Sequence, residues 1–288
     1  MKPAPFTYHR ARSAEDAARL LAELGDEAKL LAGGQSLIAM MNYRLARPRH
    51  LVDIGSLPES EGLTGFRHGP DGLRIGALTT HHAVETADEA QLGAGFAVLR
   101  DAMRWVGHLP IRTRGTVGGS IAHGDSTAEW CLLAVLLDAR IVARGPRGTR
   151  TITAGDFFYG FFSTALEPDE LITELVFPHP APHAALTEFA ERKGDFGIVV
   201  AAVDLDVENG AVRGGRVALG GVAPAPVQVP EAEEALARGG SEDVLFAACA
   251  EAAAAAIDPP GDGNGTAQYR RILTRRLVIQ ACEEAMSR

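Results

Sequence analysis

The segment Ile111–Trp130 reads IRTRGTVGGSIAHGDSTAEW and has the composition of a ligand-binding loop followed by a helix. Gly118 and Gly119 lack the Cβ atoms that would keep a bulky anion away from the backbone, and glycine also adopts positive φ without strain. Successive backbone N–H groups in such a loop can converge on a phosphate. The segment therefore predicts an anion-binding loop, and the alternative is a structural glycine turn between two packed elements.

Polar side chains in the same segment supply further donors. Thr116, Ser120 and His123 can each donate a hydrogen bond to a ligand, although a histidine taken alone is more often a packed or capping residue than a ligand. Arg112 and Arg114 either bring positive charge to the ligand or brace the loop through ion pairs with carboxylates. The sequence leaves both interpretations of the arginines open.

The length and composition indicate a globular protein with more than one domain. A chain of 288 residues is long enough for two or three compact units, and 46% hydrophobic with 23% charged residues is typical of soluble domains. The 28 basic and 37 acidic residues give a net charge of -9, which disfavours long-range attraction to nucleic acid or to an anionic membrane. We therefore expect no nucleic-acid partner.

Targeting and metal-binding signals are missing from the sequence. The start MKPAPFTYHR has no apolar core of a signal peptide, and no later stretch offers the roughly 20 apolar residues that span a bilayer. Cys131, Cys249 and Cys282 are too scattered for a disulfide framework, and no CxxC pair is present to begin a zinc or iron–sulfur site. We expect a cytoplasmic protein with no membrane span and no metal ligands of its own.

Residues 13 to 54 predict a small α/β unit. Ser13 and Asp16 form a capping box, and the apolar spacing that follows predicts an amphipathic helix ending at Gly25. Lys29–Ala32 predicts a short buried strand that leads into a glycine turn. A second helix follows the turn, with apolar residues spaced as far as Leu45, and the segment from His50 to Ile54 predicts another strand.

The following region predicts a mixture of strands and helices. It contains strand patterns at Leu73–Leu78, Ala139–Ala143 and Leu171–Phe177, the last closing the region, and a helix pattern at Gly93–Val106. Thr153 and Asp156 form another capping box in front of the aromatic segment Phe157–Phe162.

The proline-rich segment PHPAPH at Pro178–His183 indicates a boundary to a last domain with an α+β layout. Asn209-Gly210 is a strong hairpin signal. The pattern predicts strands at Glu188–Lys193, Ile198–Val207 and near Arg216–Leu219, and helices at Glu231–Ala237, Glu242–Ala256 and Gln268–Ala285. We place the domains at residues 1–57, 58–178 and 179–288.

A second glycine loop strengthens the prediction that the central segment Ile111–Trp130 binds an anion. AGGQS at Ala32–Ser36 and GTVGGS at Gly115–Ser120 lie in the two halves of the N-terminal region, and together they can hold a diphosphate from both sides. The GxGxxG fingerprint, the P-loop and the HExxH zinc motif are absent from the sequence. An extended dinucleotide between subdomains, outside a Rossmann fold, is therefore the predicted ligand.

At these residues the sequence resembles the FAD-binding medium subunits of molybdenum hydroxylases, the family of the carbon monoxide dehydrogenase medium subunit and the flavin domain of xanthine dehydrogenase. The resemblance covers nearly the whole chain in order. It is carried by LLAGGQSLIAMMNYRL at Leu30–Leu45, IRTRGTVGGSIAHGDSTAE at Ile111–Glu129, LEPDELITELVFP at Leu166–Pro178 and YRRILTRRL at Tyr269–Leu277.

The resemblance implies the fold class and the cofactor. We expect an α+β protein with a two-subdomain FAD-binding N-terminal region of the PCMH (vanillyl-alcohol-oxidase-like) type and a C-terminal antiparallel sheet with helices. Related oxidases often attach flavin covalently to a histidine near the first glycine loop. Because Gln35 occupies that position here, the expected FAD is non-covalent.

The resemblance also implies the FAD-contacting residues, and it implies no catalytic residue in this chain. The expected FAD contacts of the first diphosphate loop are Ala32, Gly33, Gly34, Gln35, Ser36 and the adjoining Leu37. The expected contacts of the second loop are Thr116, Gly118, Gly119 and Ser120. His123 and Asp125 match the path of the ribose and phosphates, and Glu129 matches an acidic position near the adenosine. Leu166, Lys193 and Phe196 match regions near the isoalloxazine ring, where relatives often carry Tyr or Trp in place of Phe196.

The family's division of labour implies the function. A large subunit with the molybdenum cofactor oxidises the organic substrate, and a small subunit with two iron–sulfur clusters relays single electrons. FAD collects two electrons and passes them to NAD, a quinone or oxygen. We therefore expect an electron-transfer flavoprotein subunit of an oxidoreductase complex.

Two other functions stay open on the sequence alone. A standalone FAD-dependent oxidoreductase would use the same loops without molybdenum partners. A flavin-free binding or scaffold protein would use them as structural turns. The adjacent pair His81-His82 lies at a predicted helix start and receives no role.

Overall fold

The computed structural model describes residues 2–288, so the first residue of the predicted domain 1–57 lies outside the described residues. The N-terminal unit is a three-stranded parallel sheet in the order β1–β3–β2. Its elements are β1 (Thr7–Arg10), α1 (Ala14–Leu24), β2 (Ala28–Leu31), α2 (Leu37–Asn42) and β3 (His50–Asp53). The predicted cap of α1 is confirmed, because Ser13 accepts a hydrogen bond from the N–H of Asp16 and Gly25 ends the helix at φ 61°.

Helix α2 is shorter than the sequence pattern predicts. It ends at Asn42, where Arg44 takes a positive φ of 59° and the N–H of Leu45 bonds to the carbonyl of Met40. These are the features of a Schellman C-terminus, which reverses the chain toward β3. Leu45 is consequently 77% exposed, although its spacing had placed it on the apolar face.

The second unit is a five-stranded sheet in the order β4–β5–β10–β6–β7 with helices packed on it. Its strands are β4 (Phe66–Gly69), β5 (Gly72–Gly76), β6 (Arg140–Gly145), β7 (Gly148–Thr153) and β10 (Leu171–Phe177), and β8 (Phe158–Gly160) pairs separately with β9 (Ser163–Thr164). Its helices are α3 (His81–Glu85), α4 (Glu89–Leu92), α5 (Ala97–Ala102), α6 (Leu109–Arg112), α7 (Val117–His123) and α8 (Glu129–Leu136). Strand β10 ends the region in sequence but is the central strand in space, since it pairs with both β5 and β6.

Two predictions for this unit are wrong. The expected helix Gly93–Val106 forms only as α5, because Gly93 and Gly95 take positive φ values of 87° and 84°. The capping box before the aromatic segment starts no α-helix: Thr153 Oγ1 donates to the Asp156 carboxylate at 2.7 Å without capping the backbone, and the aromatic residues form the β8–β9 hairpin.

The C-terminal unit is a four-stranded antiparallel sheet followed by three helices, which confirms the predicted α+β order. Its elements are β11 (Ala184–Phe189), β12 (Val199–Glu208), β13 (Ala211–Gly220), β14 (Val227–Gln228), α9 (Pro230–Leu236), α10 (Glu242–Ala256) and α11 (Ala267–Met286). Asn209 and Gly210 both have positive φ and join β12 to β13 as predicted. The predicted strand Glu188–Lys193 is shifted: the strand ends at Phe189, and the residues up to Gly197 form a loop.

The C-terminal sheet is buried on both faces, which fixes it against the rest of the molecule. On one face, Val200 and Ala202 join the core of the second unit together with Trp130. On the other, Val199 and Val203 pack with residues of α10 and α11. The loops at the edge of this sheet are therefore held next to the FAD-binding region.

Candidate FAD-binding site

The first glycine loop follows β2, at the carboxyl end of the parallel sheet, where ligands of open α/β sheets commonly bind. Gly34 takes a positive φ of 72° in this loop. Within residues 2–288, the N–H groups of Gly33, Gly34, Gln35 and Ser36 have no hydrogen-bond acceptor. A row of unpaired N–H groups in a turn is the arrangement that binds phosphate.

The second loop differs, because its N–H groups are already bonded within the chain. The N–H of Val117 bonds to the carbonyl of Thr79 at 2.9 Å, and that of Gly118 to the carbonyl of Ala77 at 2.8 Å. The N–H of Gly119 donates to Oγ1 of Thr116, the N-cap of α7, at 3.1 Å. The expected convergence of successive N–H groups on a phosphate is therefore a property of the first loop and not of this one.

The glycines of the two loops have different roles. A Cβ on Gly33 would lie 2.0 Å from the carbonyl oxygen of Arg114, so the two loops touch through backbone atoms at this point. A Cβ on Gly118 would lie 2.5 Å from that of Ala77, which makes this glycine a packing residue. Gly119 is exposed and is the glycine of the pair that leaves its outer side open to a ligand.

A cavity of about 780 Å³ lies beside the first loop, within the size range of small-molecule and cofactor sites. Five of the predicted site residues line it: Ala32, Gly33, Gly34, Gln35 and Thr116. Asn42, Asp53, Gly55 and Ser56 also line it and were not predicted. The available signal was the position of Asp53 and Ser56 at the carboxyl end of a parallel strand, where polar residues commonly meet ligands: Asp53 is the last residue of β3, and Ser56 follows it.

The two arginines of the central segment separate into the two roles that the sequence left open. Arg112 donates to Oε2 of Glu85 at 2.9 Å and to the carbonyl oxygens of Val106 and Gly107, so it braces the loop. Arg114 lines the cavity and has no ion pair among residues 2–288. Arg114 is thus the available cation at this end of the site.

His123 and Asp125 lie after the second loop and do not line the cavity. The imidazole of His123 packs against the ring of Phe162 at 4.8 Å, and burial lowers the pKa of His123 while the Asp125 carboxylate opposes this shift. Asp125 Oδ1 accepts from both the backbone N–H and the hydroxyl of Thr127 at 2.9 Å. These contacts hold the turn that leads into α8.

A pair of carboxyl groups lies where the second unit meets the C-terminal sheet. Burial raises the pKa of Glu129 to about 7, with a further contribution from the Asp125 carboxylate. Burial also raises the pKa of Glu188 to about 9, and the Glu129 carboxylate adds to this shift. Oε2 of Glu188 is buried without a hydrogen-bond partner among the described residues. Glu188 was not predicted from the sequence, because its environment comes from a distant segment.

A second cavity of about 580 Å³ includes Glu188, Lys193, Trp105 and Gln280 in its lining. Glu129 therefore lies next to Glu188 of this cavity, although the family resemblance matched Glu129 to the adenosine end of FAD. Of the three residues expected near the flavin ring, Lys193 lines this cavity, Phe196 is 75% exposed on the same loop, and Leu166 packs half-buried against the main core.

The free donors and the cation of the first cavity fit FAD. In residues 2–288 no cluster of three His, Cys, Asp or Glu side chains could hold a metal ion, and the three cysteines are free and buried. The free donors of Gly33–Ser36 and the unpaired Arg114 match the charge of a diphosphate. Over the same residues, no helix combines the length and the apolar character that crossing a bilayer requires.

Comparison with known proteins identifies relatives over the whole chain. Residues 4–180 match the family described as FAD binding domain in molybdopterin dehydrogenase, and residues 184–285 match the CO dehydrogenase flavoprotein C-terminal domain. The subunit alpha of the 6-hydroxypseudooxynicotine dehydrogenase complex of Paenarthrobacter nicotinovorans is 39% identical, over 100% of this chain and 97% of the relative. The carbon monoxide dehydrogenase medium chain of Afipia carboxidovorans is 36% identical, over 100% and 99%.

Solved structures give the same result for the fold. A carbon monoxide dehydrogenase chain from Hydrogenophaga pseudoflava superposes with a TM-score of 0.92 at 35% identity and covers 100% of this chain and 99% of its own. Quinoline 2-oxidoreductase from Pseudomonas putida 86 superposes with a TM-score of 0.92 at 31% identity and the same coverage.

Proposed function

Because this chain belongs to the family of FAD-binding domains of molybdopterin dehydrogenases, we propose that its two loops hold the flavin through which such a complex passes its electrons. The chain is the FAD-binding medium subunit of an oxidoreductase complex of the molybdenum hydroxylase type. Its partners are a molybdopterin-containing large subunit and an iron–sulfur small subunit. The relatives are subunits of complexes, so a standalone oxidoreductase is not favoured.

One observation carries the placement of the cofactor: the unpaired N–H groups of Gly33, Gly34, Gln35 and Ser36 lie at the carboxyl end of a parallel sheet. These donors satisfy the charge of the FAD diphosphate, and Arg114 adds a cation at the cavity wall. The amide of Gln35 donates to the carbonyl of Gly33 at 3.0 Å and offers no nucleophile for a covalent bond. The cofactor is accordingly held without a covalent bond.

The remaining contacts follow the family pattern. Leu37 extends the first loop, and Thr116, Gly119 and Ser120 approach the cofactor from the second. Gly118, matched to the same loop, supports it by packing against Ala77. His123, Asp125 and Glu129 follow the cofactor, and Leu166, Lys193 and Phe196 lie toward the ring. The domains extend over residues 1–57, 58–178 and 179–288, and the protein is cytoplasmic. These assignments are supported by the order of the motifs along the chain.

The chemistry of this subunit consists of binding and orientation. When bound, FAD would supply the conversion between single-electron transfer from the iron–sulfur partner and two-electron transfer to NAD, a quinone or oxygen. The chain supplies the diphosphate donors, keeps the two loops in contact at Gly33 and Arg114, and places the carboxyl of Glu188 in the second cavity.

The test is FAD binding by a Gly119→Val variant of the full chain, with Gly155→Val as the matched control. Gly119 lies on the exposed side of the second loop, and a Cβ there would lie 2.7 Å from Oγ1 of Thr116, whereas a Cβ on Gly155 would meet nothing within 4 Å. We expect the wild-type protein and the control to bind FAD with acid-releasable absorbance near the flavin bands, and the Gly119 variant to lose it while it stays folded. Stoichiometric FAD in the folded Gly119 variant contradicts the placement.

Copurification tests the assembly. The tagged chain, expressed with its genomic neighbours, is expected to carry iron and molybdenum in addition to flavin. A monomer that contains FAD alone and oxidises an organic substrate without partners contradicts the assignment as a subunit.

A further inference from the structure

The first turn of α3 is attached to the second glycine loop. The backbone N–H of His81 donates to the carbonyl of Gly115 at 3.0 Å, and Thr80 forms an isolated antiparallel bridge with Thr116. The side chain of His81 is directed into the protein and is 5% exposed, although a polar residue at a helix start is usually solvated. A buried imidazole at this position needs a structural or functional reason.

The ring of His81 is held by Trp130. The indole Nε1–H donates to Nδ1 of His81 at 3.0 Å, and the two rings lie 6.4 Å apart with 23° between their planes. Because Nδ1 accepts this bond, the neutral imidazole carries its proton on Nε2. Burial and the nearby Arg112 guanidinium lower the pKa of His81 to about 4, so the ring is in the accepting form at neutral pH.

The imidazole in turn packs against Gly115. A Cβ on Gly115 would lie 2.7 Å from Cδ2 and 2.8 Å from Nε2 of His81, so the ring lies directly against this glycine. The same peptide meets the first loop, since a Cβ on Gly33 would lie 2.0 Å from the carbonyl oxygen of Arg114 and 2.9 Å from Cα of Gly115. The Arg114–Gly115 peptide is thus contacted by the imidazole and by the backbone of the first loop.

These contacts form a continuous path from Trp130 through His81 and Gly115 to Gly33. We propose that His81 is a positioning residue for the FAD site: its ring, fixed by Trp130, sets the position of the Arg114–Gly115 peptide and thereby the spacing of the two diphosphate loops. The inference rests on the proposed placement of FAD between these loops. His81 acts through Gly115, and no contact between its ring and the cofactor is needed.

The neighbouring histidine provides a matched control. His82 has a side chain that is 42% exposed, and its Nδ1 lies 3.1 Å from Oε2 of Glu85, which also accepts from Arg112. Within residues 2–288, the His82 side chain forms no hydrogen bond with Trp130 or Gly115. Substitution of His82 tests the effect of losing a histidine from the same helix turn.

The experiment compares His81→Leu, His81→Asn and His82→Leu in the full chain, with the FAD dissociation constant measured by flavin fluorescence. Leucine fills the site but leaves the Trp130 indole N–H without an acceptor, whereas the Asn Oδ1 can accept in place of Nδ1. The unsatisfied indole N–H favours a shift of the neighbouring Arg114–Gly115 peptide, and FAD binding has to reverse that shift, so we expect His81→Leu to weaken FAD binding at least about fivefold. The Asn variant and His82→Leu should stay within about threefold of wild type.

Thermal unfolding of each variant ensures that affinities are compared among folded proteins. If His81→Leu fails to fold, Trp130→Phe removes the same hydrogen bond from the other side with a residue of similar shape, and it too is expected to weaken FAD binding. The inference is overturned if the folded Leu variant, or Trp130→Phe in its place, binds FAD as tightly as wild type, or if Asn weakens binding as much as Leu. If the wild-type chain itself binds no FAD, the proposed function fails instead.

Discussion

The buried carboxyl of Glu188 makes the stability of the protein fall as the pH rises. Glu188 is 8% exposed, and burial together with the Glu129 carboxylate raises its pKa from 4.5 to about 9. Between these two values the folded state binds a proton at this site that the unfolded state has released. The free energy of unfolding therefore decreases with pH across this window.

Glu188 gives the largest change in bound protons between pH 7 and 8.5. The thiols of Cys131 and Cys282 contribute less, near the upper end of this interval. Their pKa values are raised in the folded state, by burial for Cys131 and by the hydrogen bond with Cys249 for Cys282, whereas unfolded thiols begin to ionise there.

The raised pKa values of Glu129 and Asp204 are about 7 and about 6, and His81 and His123 have pKa values lowered from 6.5, so most of their effect lies below this interval. One proton bound in excess corresponds to about 1.4 kcal/mol per pH unit. Over this interval we expect the wild-type protein to lose about 2 kcal/mol of unfolding free energy.

Glu188→Gln removes the titration and keeps the shape of the side chain. Urea unfolding at several pH values between 7 and 8.5 should show a much shallower dependence for this variant, with the remaining slope due to Glu129, Cys131 and Cys282. Glu191→Gln, at an exposed position in the adjacent loop, should keep the wild-type slope. The slope is the decisive quantity, because the buried amide changes the absolute stability by an effect of its own. A flat wild-type profile, or an unchanged slope in Glu188→Gln, refutes the reasoning.

Three further predictions concern the loops and one hairpin. Gly33→Ala places a Cβ 2.0 Å from the Arg114 carbonyl oxygen, so we expect it to lower the unfolding free energy by about 1–3 kcal/mol and to abolish FAD retention, measured by urea unfolding and flavin absorbance. Arg114→Ala should weaken FAD binding with little change in melting temperature, whereas Arg112→Ala, which breaks the contact with Glu85, should lower the melting temperature; equal effects would contradict their separate roles. Gly210→Ala, at a φ of 75°, should cost about 1 kcal/mol of stability with FAD binding retained.

Local signals in the sequence predicted the elements that depend on local interactions. The cap at Ser13 and the turn at Asn209-Gly210 are confirmed because their hydrogen bonds and dihedral angles involve residues only a few positions apart. Strand β1 was not predicted, since its exposed residues carry no apolar alternation and its parallel partner β3 lies about 40 residues away. The central place of β10 was missed for the same reason.

In the candidate site, too, features set by local sequence were predicted and features set by long-range packing were not. The motif order indicated both FAD loops, but the cavity-lining role of Asp53 and the buried position of Glu188 depend on segments that meet only in the folded chain. The helix predicted at Gly93–Val106 breaks because two glycines adopt positive φ, a choice that apolar spacing does not reveal. The family resemblance located the loops, and the three-dimensional packing distinguishes their roles.

This distinction changes how the central segment acts. A diphosphate needs hydrogen-bond donors, and the second loop has already used the N–H groups of Val117, Gly118 and Gly119 within the chain. The second loop therefore contributes through its position. Its Arg114–Gly115 peptide contacts Gly33 and so fixes the conformation of the first loop, which has the unpaired N–H groups. Substitutions that move the second loop should weaken FAD binding without removing a donor, which is why His81, behind this loop, is expected to affect the cofactor without touching it.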